Sequence, residues 1–255
     1  MPEKKIKKII KEGKEVSRTK KKHEAKVLTG VVNYDEMIRG GYEKNSTNLL
    51  VGGGGGGKSI FATQFLITGM KKGEKCLYVT FEERKQEFYR YMKDFGWDLE
   101  AYEKKGLFTF LEYTPIKVKT MLEEGGGEIE RIILNKKVKR IVIDSITSFA
   151  LLFEDELAKR QAALSLFGMI RDWDCTSLLT LEEEPLLGEA RNTPKTLEFE
   201  VDSLTFIYFL RKKGKRGRYI EVIKMRGTDH SRSVHQYEIG QNGISVGPSP
   251  VSDLP

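Results

Sequence analysis

A run of six glycines ends in a Lys-Ser pair, and this short segment has the residue types that bind phosphate. Gly52 and Gly57 are separated by four residues and followed by Lys58 and Ser59, which is the spacing of a P-loop. Glycines let backbone N–H groups converge on phosphate, the lysine neutralises phosphate oxygens, and the serine hydroxyl can ligate Mg²⁺. The residues predicted to contact a nucleoside triphosphate are Gly53, Gly54, Gly55, Gly56, Gly57, Lys58, Ser59 and Ile60.

The flanks of the glycine run distinguish a phosphate site from a flexible linker. Glycine-rich stretches are common in linkers. This one follows the apolar segment 47–51 and precedes residues 58–72, which have helical spacing. A P-loop needs a strand before it and a helix after it, because the helix N-terminus adds a favourable dipole for an anion. We therefore favour the phosphate site.

Asp144 follows the apolar run 141–143 and is a candidate magnesium ligand. In P-loop proteins an aspartate at the end of a strand holds the metal together with the P-loop hydroxyl. Ser59 and Asp144 are therefore the predicted Mg²⁺ ligands. An aspartate in this position can also cap the following helix, and the two roles are compatible.

Two glutamates, Glu82 and Glu83, follow the second predicted strand directly. In a doubly wound sheet the carboxyl ends of the strands face the ligand crevice. Either glutamate could therefore orient or deprotonate a water molecule for hydrolysis. From the residues alone, a solvated loop is an equally good interpretation.

The segments that carry these residues alternate between strand and helical character. Short apolar or β-branched segments occur at 47–51, 76–81, 107–112, 138–144 and 175–181. Helical spacing occurs at 58–72, 84–96, 117–135 and 154–173. The alternation predicts an α/β fold, a doubly wound and mainly parallel sheet flanked by helices. Segments 203–210 and 218–225 predict a C-terminal β-hairpin at the sheet edge.

The net charge of +7 is concentrated near the N-terminus. Residues 1–26 carry eleven basic and four acidic side chains, so the rest of the 255 residues is balanced. Such runs are usually solvated tails, and binding to nucleic acid or an anionic membrane is the alternative. We predict a basic arm at 1–27, one domain at 28–246 and a C-terminal tail at 247–255. No apolar run reaches the length of a membrane span, which predicts a soluble, cytoplasmic protein.

Several segments, in order along the chain, resemble the KaiC-like branch of the RecA-fold ATPases over about residues 28–246. They are TGVVNYDEMIRGG (29–41), the P-loop, YVTFEE (78–83), DFGWDL (94–99), IVIDS (141–145) and KMRGTDHS (224–231). The last segment is the most specific of them. The resemblance implies a RecA-like fold and Mg²⁺-dependent ATP hydrolysis in a homo-oligomer, a hexameric ring by analogy.

The resemblance also implies catalytic roles. Glu82 and Glu83 match the catalytic glutamates of the family. Lys58 is a further candidate catalytic residue because of P-loop chemistry itself, since this lysine neutralises the β- and γ-phosphate oxygens. The P-loop departs from the family pattern at Gly54, where Pro or Ala is usual, and at Gly56, where Thr or Ser is usual. Each added glycine costs about 0.5–1 kcal/mol of ordering entropy, so we expect weaker nucleotide binding.

Further roles implied by the resemblance lie across a subunit boundary. Lys224 and Arg226 match residues that reach the γ-phosphate bound on a neighbouring subunit, where a cation can offset charge that develops during transfer. Thr228, Asp229 and His230 lie in the same segment and are predicted to contact the nucleotide or the neighbour. From spacing alone, Lys224 and Arg226 would be ordinary exposed ion-pair residues.

Two other functions stay open at this stage. The loop 182–196, the basic segment 211–218 and the lysine-rich arm suggest a DNA-binding recombination or repair accessory ATPase of the RecA/RadA type. The loop, however, has more acidic than basic residues, and these would repel phosphates. A nucleotide-gated signalling switch with little turnover is the third candidate.

Overall fold

The computed structural model describes residues 26–114, 127–150, 155–185, 195–212 and 214–252, together with residues 117, 120, 125 and 153. Almost all of the predicted basic arm therefore lies outside the described residues. The same holds for residues 186–194 of the acidic loop, residue 213 of the basic segment and residues 253–255 of the predicted tail.

Nine strands form one sheet within the described ranges. Their bounds are β1 (Thr47–Gly52), β2 (Cys76–Thr80), β3 (Phe108–Glu112), β4 (Arg140–Asp144), β5 (Thr176–Glu182), β6 (Ser203–Lys212), β7 (Lys215–Met225), β8 (His235–Gly240) and β9 (Gly243–Pro250). The strand order is β3-β2-β4-β5-β1-β6-β7-β8-β9. The pairings from β3 to β6 are parallel, and those from β6 to β9 are antiparallel. The predicted α/β fold with a mainly parallel sheet is confirmed.

Helices connect the parallel strands. Within the described ranges they are α1 (Tyr34–Met37), α2 (Lys58–Lys71), α3 (Lys85–Lys93), α4 (Leu99–Lys104), α5 (Gly127–Lys136), α6 (Ile146–Ala150), α7 (Glu156–Asp172) and α8 (Lys195–Glu200). The helix predicted at 117–135 is seen as α5, and much of its first part lies outside the described residues. None of the described helices combines the length and the hydropathy that crossing a membrane would require.

The central strands are buried on both faces, which explains their continuous apolar sequences. Leu49 and Val51 belong to one hydrophobic cluster and Leu50 to the other, because successive side chains of a strand point to opposite faces. Helix α2 contributes to the cluster that contains Leu50, while α5 and α7 contribute to the opposite one. Packing on both faces therefore fixes the carboxyl ends of the central strands along one edge of the sheet.

The C-terminal part differs from the sequence prediction in two respects. The predicted hairpin is present as β6 and β7, but it does not form the sheet edge, since β8 and β9 extend the sheet beyond it. Strand β9 also continues to Pro250, past residue 246, where the sequence placed the end of the domain. Pro248 and Pro250 are tolerated because β9 is an edge strand, in which a missing N–H breaks no ladder.

Candidate nucleotide site

The glycine run forms the loop between β1 and α2. Gly57 is the N-cap of α2 with φ 90°, and Gly55 has φ 77°. Both values lie in the left-handed region that favours glycine. Gly54 and Gly56 are not among the glycines with positive φ. The conformation of this loop therefore demands glycine at some of its positions and only permits it at others.

Lys58 begins α2 and its side chain reaches back over the loop. Its ammonium donates hydrogen bonds to the carbonyl oxygens of Gly52 at 2.8 Å and Gly53 at 3.0 Å. Burial lowers the pKa of Lys58 below its usual value, and the carboxylates of Glu182 and Asp144 oppose that shift. The ammonium thus lies in a partly buried position among acidic groups.

Asp144 ends β4 directly beside β2, and its carboxylate is buried. The Tyr78 hydroxyl donates to Asp144 Oδ2, and the Thr180 hydroxyl donates to Asp144 Oδ1. Burial raises the pKa of Tyr78 well above its usual range, so this hydroxyl remains a donor. Two neutral donors from neighbouring strands therefore fix the orientation of the carboxylate.

Glu82 and Glu83 follow β2 at the same edge of the sheet. The Thr80 hydroxyl accepts the backbone N–H groups of Glu82 at 3.2 Å and Glu83 at 3.0 Å, which fixes the turn. The Ser148 hydroxyl donates to Glu82 Oε1. Burial, together with the nearby carboxylates of Asp144 and Glu82, raises the pKa of Glu83.

These groups line one cavity of about 370 Å³. The residues that line it are Gly54, Gly55, Gly57, Lys58, Ser59, Ile60, Thr80, Glu82, Glu83, Asp144, Ser145 and Glu182. The structure therefore brings the predicted P-loop residues, the predicted magnesium ligands and the two glutamates together. Gly56 lies between lining residues of the loop, and Gly53 directly precedes them.

The donor chemistry of the cavity fits a magnesium-bound triphosphate. Ser59 and Asp144 both line it, and hydroxyl and carboxylate oxygens are the hard ligands that Mg²⁺ takes. Ser145 Oγ is buried and has no hydrogen-bond partner within the described part of the chain. A buried hydroxyl without a partner is costly in a folded protein, and a phosphate oxygen or its water would satisfy this one.

One end of the basic segment 211–218 lies beside the P-loop. The guanidinium carbons of Arg216 and Arg218 are 5.0 and 4.7 Å from the centroid of the Phe209 ring. Arg218 Nε also donates to the carbonyl oxygen of Gly55 at 3.3 Å. Of the basic residues that suggested DNA binding, Arg218 therefore contacts the P-loop, and Arg216 stacks on the same ring.

Lys224 and Arg226 lie at the opposite end of the sheet from the P-loop of the same chain. Lys224 pairs with Leu204 near the start of β6, whereas Gly52 pairs with Ile207 further along that strand. Lys224 Nζ donates to the carbonyl oxygen of Val201 at 2.8 Å, which directs its side chain toward the start of β6. The structure does not bring this lysine to the cavity of its own subunit.

Arg226 follows β7 at the same end of the sheet. It pairs with Asp202 at 3.2 Å and donates to the carbonyl oxygen of Phe199. Thr228 accepts a hydrogen bond from Lys26 Nζ at 3.1 Å, and His230 Nδ1 lies 2.8 Å from the carbonyl oxygen of Ser231. These predicted contact residues are therefore also remote from their own P-loop, and their role at a neighbouring site stays a prediction.

Sequence reasoning missed Glu182 as a member of the site. The sequence pattern makes it the first residue of an acidic loop, although it ends the apolar run of β5 much as Glu82 comes shortly after β2. Glu182 pairs in register with Gly52 and lines the cavity. The strand order that makes β5 a neighbour of β1 is not visible in the sequence.

Comparison with known proteins reveals relatives over most of the chain. The family model described as the KaiC ATPase matches residues 27–251. A UPF0273 protein of Pyrococcus horikoshii is 33% identical over 239 residues, which cover 89% of this chain and 95% of the relative. The circadian clock protein KaiC3 of Synechocystis is 29% identical and covers 90% of this chain, but only 47% of the relative. The chain thus spans about half the length of that clock protein.

A solved structure shows the same fold. The crystal structure of a KaiC-like protein from the hyperthermophilic archaeon Pyrococcus horikoshii OT3 superposes with a TM-score of 0.77 at 36% sequence identity. The match covers 88% of this chain and 99% of that chain. Together with the family match and the site described above, it leads to one conclusion: the chain belongs to the KaiC family of ATPases.

Proposed function

We propose that this protein binds ATP with Mg²⁺ and hydrolyses it as a homo-oligomer whose active sites lie at subunit boundaries. The observation that carries the proposal is the convergence of the P-loop, Asp144 and the glutamates Glu82 and Glu83 on one cavity. The family resemblance adds a hexameric ring as the form of the oligomer.

Each group in the cavity has a chemical task in this proposal. Backbone N–H groups of residues 53–59 bind the phosphates, and Lys58 neutralises their oxygens. Ser59 and Asp144 would hold Mg²⁺, which neutralises charge that develops on the phosphate oxygens. Water attacks the γ-phosphorus and loses a proton to Glu82 or Glu83, while the bond to the β-phosphate oxygen breaks to give ADP and phosphate.

The two glutamates differ in their suitability as a base. Glu83 is half-buried and its pKa is raised, so its carboxylate accepts a proton more readily than an ordinary one. Glu82 is more exposed and accepts a hydrogen bond from Ser148, which orients its carboxylate. We assign proton acceptance to Glu83 and the positioning of water to Glu82.

The subunit boundary enters through Lys224 and Arg226. Both lie too far along the sheet to serve their own cavity, and Arg226 is half-exposed. A cation that reaches a neighbouring γ-phosphate stabilises the charge of the transition state. The positions of both residues therefore support a site completed by a second copy of the chain.

The two types of glycine in the loop predict opposite effects on ATP affinity. Gly54→Ala should tighten binding about 2- to 5-fold, because it removes roughly 0.5–1 kcal/mol of ordering entropy without demanding a left-handed residue. Gly55→Ala should weaken binding at least as much, because Gly55 has φ 77°. Calorimetric titration with ATP and Mg²⁺ checks both. Equal affinities for the two variants would contradict this description of the loop.

Steady-state phosphate release with ATP and Mg²⁺ tests the proposed function. Wild-type protein should release phosphate continuously, and Lys58→Ala should not. Binding of ATP without steady release of phosphate would instead favour the signalling switch.

The DNA-binding alternative makes a separate prediction. Neutralising the basic residues of segment 211–218 should abolish salt-dependent DNA binding if that hypothesis is correct. Because Arg218 donates to the P-loop carbonyl of Gly55 and stacks with Arg216 on Phe209, we expect such a variant to lose ATP affinity instead.

A further inference from the structure

Glu182 is held rigidly at the mouth of the phosphate site. It is the last residue of β5 and pairs in register with Gly52, the last residue of β1. Its backbone N–H donates to the Thr147 hydroxyl at 2.7 Å. These contacts fix the backbone of Glu182 beside the loop, and its side chain is exposed.

The Glu182 carboxylate faces the glycines of the P-loop. Its Oε1 atom lies 3.4 Å from the point that a Cβ would occupy on Gly54, so this oxygen borders the loop. Two residues on, Glu184 Oε1 lies 3.1 Å from the corresponding point on Gly53. Because alternate residues of an extended segment share a face, Glu182 and Glu184 both face the loop.

Glu183, between them, supplies a natural control. It is not among the residues that line the cavity. Its pKa is raised by burial, with no charged neighbour contributing to the shift. Glu182 lines the cavity and Glu184 lies beside Gly53, whereas Glu183 is in neither group.

The groups that line the cavity carry an excess of negative charge. Its lining carries four carboxylates and one ammonium. Asp144 has a task as a metal ligand, and Glu82 and Glu83 have tasks toward water, whereas Glu182 has none of these. A triphosphate that enters the loop brings several negative charges close to the Glu182 carboxylate, and like charges a few ångströms apart repel each other even next to solvent.

We infer that Glu182 sets the nucleotide affinity and the metal preference of the site, because its carboxylate repels the phosphates and repels metal-free ATP more than magnesium-bound ATP. This inference rests on the proposed function. Glu182 acts as a specificity-determining residue: it selects the nucleotide whose charge is partly neutralised, and it weakens the retention of product ADP.

The test compares Glu182→Gln with wild type and with Glu183→Gln. The glutamine keeps the size and the backbone contacts of Glu182 and removes only its charge. Dissociation constants are measured for ATP in EDTA and for ATP with excess Mg²⁺, at low and high salt. Thermal unfolding without nucleotide confirms that the variants are folded.

The expected result is a change in affinity that depends on the metal. Glu182→Gln should bind metal-free ATP on the order of 10-fold more tightly, and magnesium-bound ATP only a few-fold more tightly. Both gains should shrink at high salt, where charges are screened. Glu183→Gln should bind like wild type. Glu184→Gln should change in the same direction as Glu182→Gln and by less, which keeps the test decisive if Glu182→Gln fails to fold.

Two failures are distinguishable. If wild type binds and hydrolyses ATP but Glu182→Gln and Glu184→Gln bind metal-free ATP no more tightly, the inference about Glu182 is overturned and the proposed function stands. If neither wild type nor any variant binds ATP in either buffer, the proposed function fails and the inference fails with it.

Discussion

Arg226→Ala is expected to lower the rate of ATP hydrolysis by about 10³-fold or more, which is the usual contribution of an arginine that reaches a phosphate in trans. ATP binding should change little, because the P-loop of each chain is intact. Phosphate release and nucleotide titration measure the two quantities. The loss of rate should appear without a comparable loss of affinity.

Arg171→Ala is the matched control. Arg171 is also half-exposed, and it pairs with Glu200 at the end of α8, as Arg226 pairs with Asp202 just beyond it. Losing that ion pair should leave hydrolysis near the wild-type rate, since surface pairs contribute little to stability. A large loss of rate in both variants would mean that Arg226 matters only for the local structure around α8.

Mixing two inactive variants separates action in trans from action in cis. Arg226→Ala chains keep a complete cavity, and Glu82→Gln/Glu83→Gln chains keep the arginine. In mixed oligomers some boundaries combine the two intact halves, so phosphate release should recover. No recovery after proven mixing would place Arg226 in the site of its own subunit, against the distance along the sheet that separates them.

Glu82→Gln/Glu83→Gln is expected to lower the turnover number by about 10²–10⁴-fold, the usual contribution of general base catalysis. Binding of ATP should be retained, because glutamine preserves the shape of the cavity and removes two negative charges from it. Single variants then separate the roles, and Glu83→Gln should lose more than Glu82→Gln. Rapid-quench measurement of a single turnover gives the chemical rate directly.

The control for the glutamate variants is Glu100→Gln on α4. Glu100 is exposed and pairs with Lys93 at 3.5 Å, away from the cavity lining. It should behave like wild type in every assay. If Glu82→Gln/Glu83→Gln hydrolyses ATP at the wild-type rate, another group activates the water, and the assignment of both glutamates is wrong.

The sequence predicted the parts of the fold that depend on local patterns. The apolar run before the glycines, the helical spacing after them and the strand that ends at Asp144 are all short-range signals, and each element appears within a few residues of its predicted bounds. The P-loop was recognisable for the same reason, since its chemistry is contained in eight consecutive residues.

Features that depend on strand order were not predictable in this way. Glu182 joins the site only because β5 lies beside β1. The buried Ser145 hydroxyl is a candidate phosphate contact only because it lines the cavity. The position of the β6–β7 hairpin within the sheet was likewise missed, because strands β8 and β9 were not recognised. All three features depend on the arrangement of strands that are far apart in the sequence.

The central claim is that two copies of the chain form each ATP-hydrolysing site. Light scattering of the 29.1 kDa chain with ATP and Mg²⁺, coupled to phosphate release across a dilution series, tests it most directly. We predict that specific activity follows the oligomer and falls away as dilution yields single chains. Full activity in a fraction whose mass is that of one chain would contradict the claim.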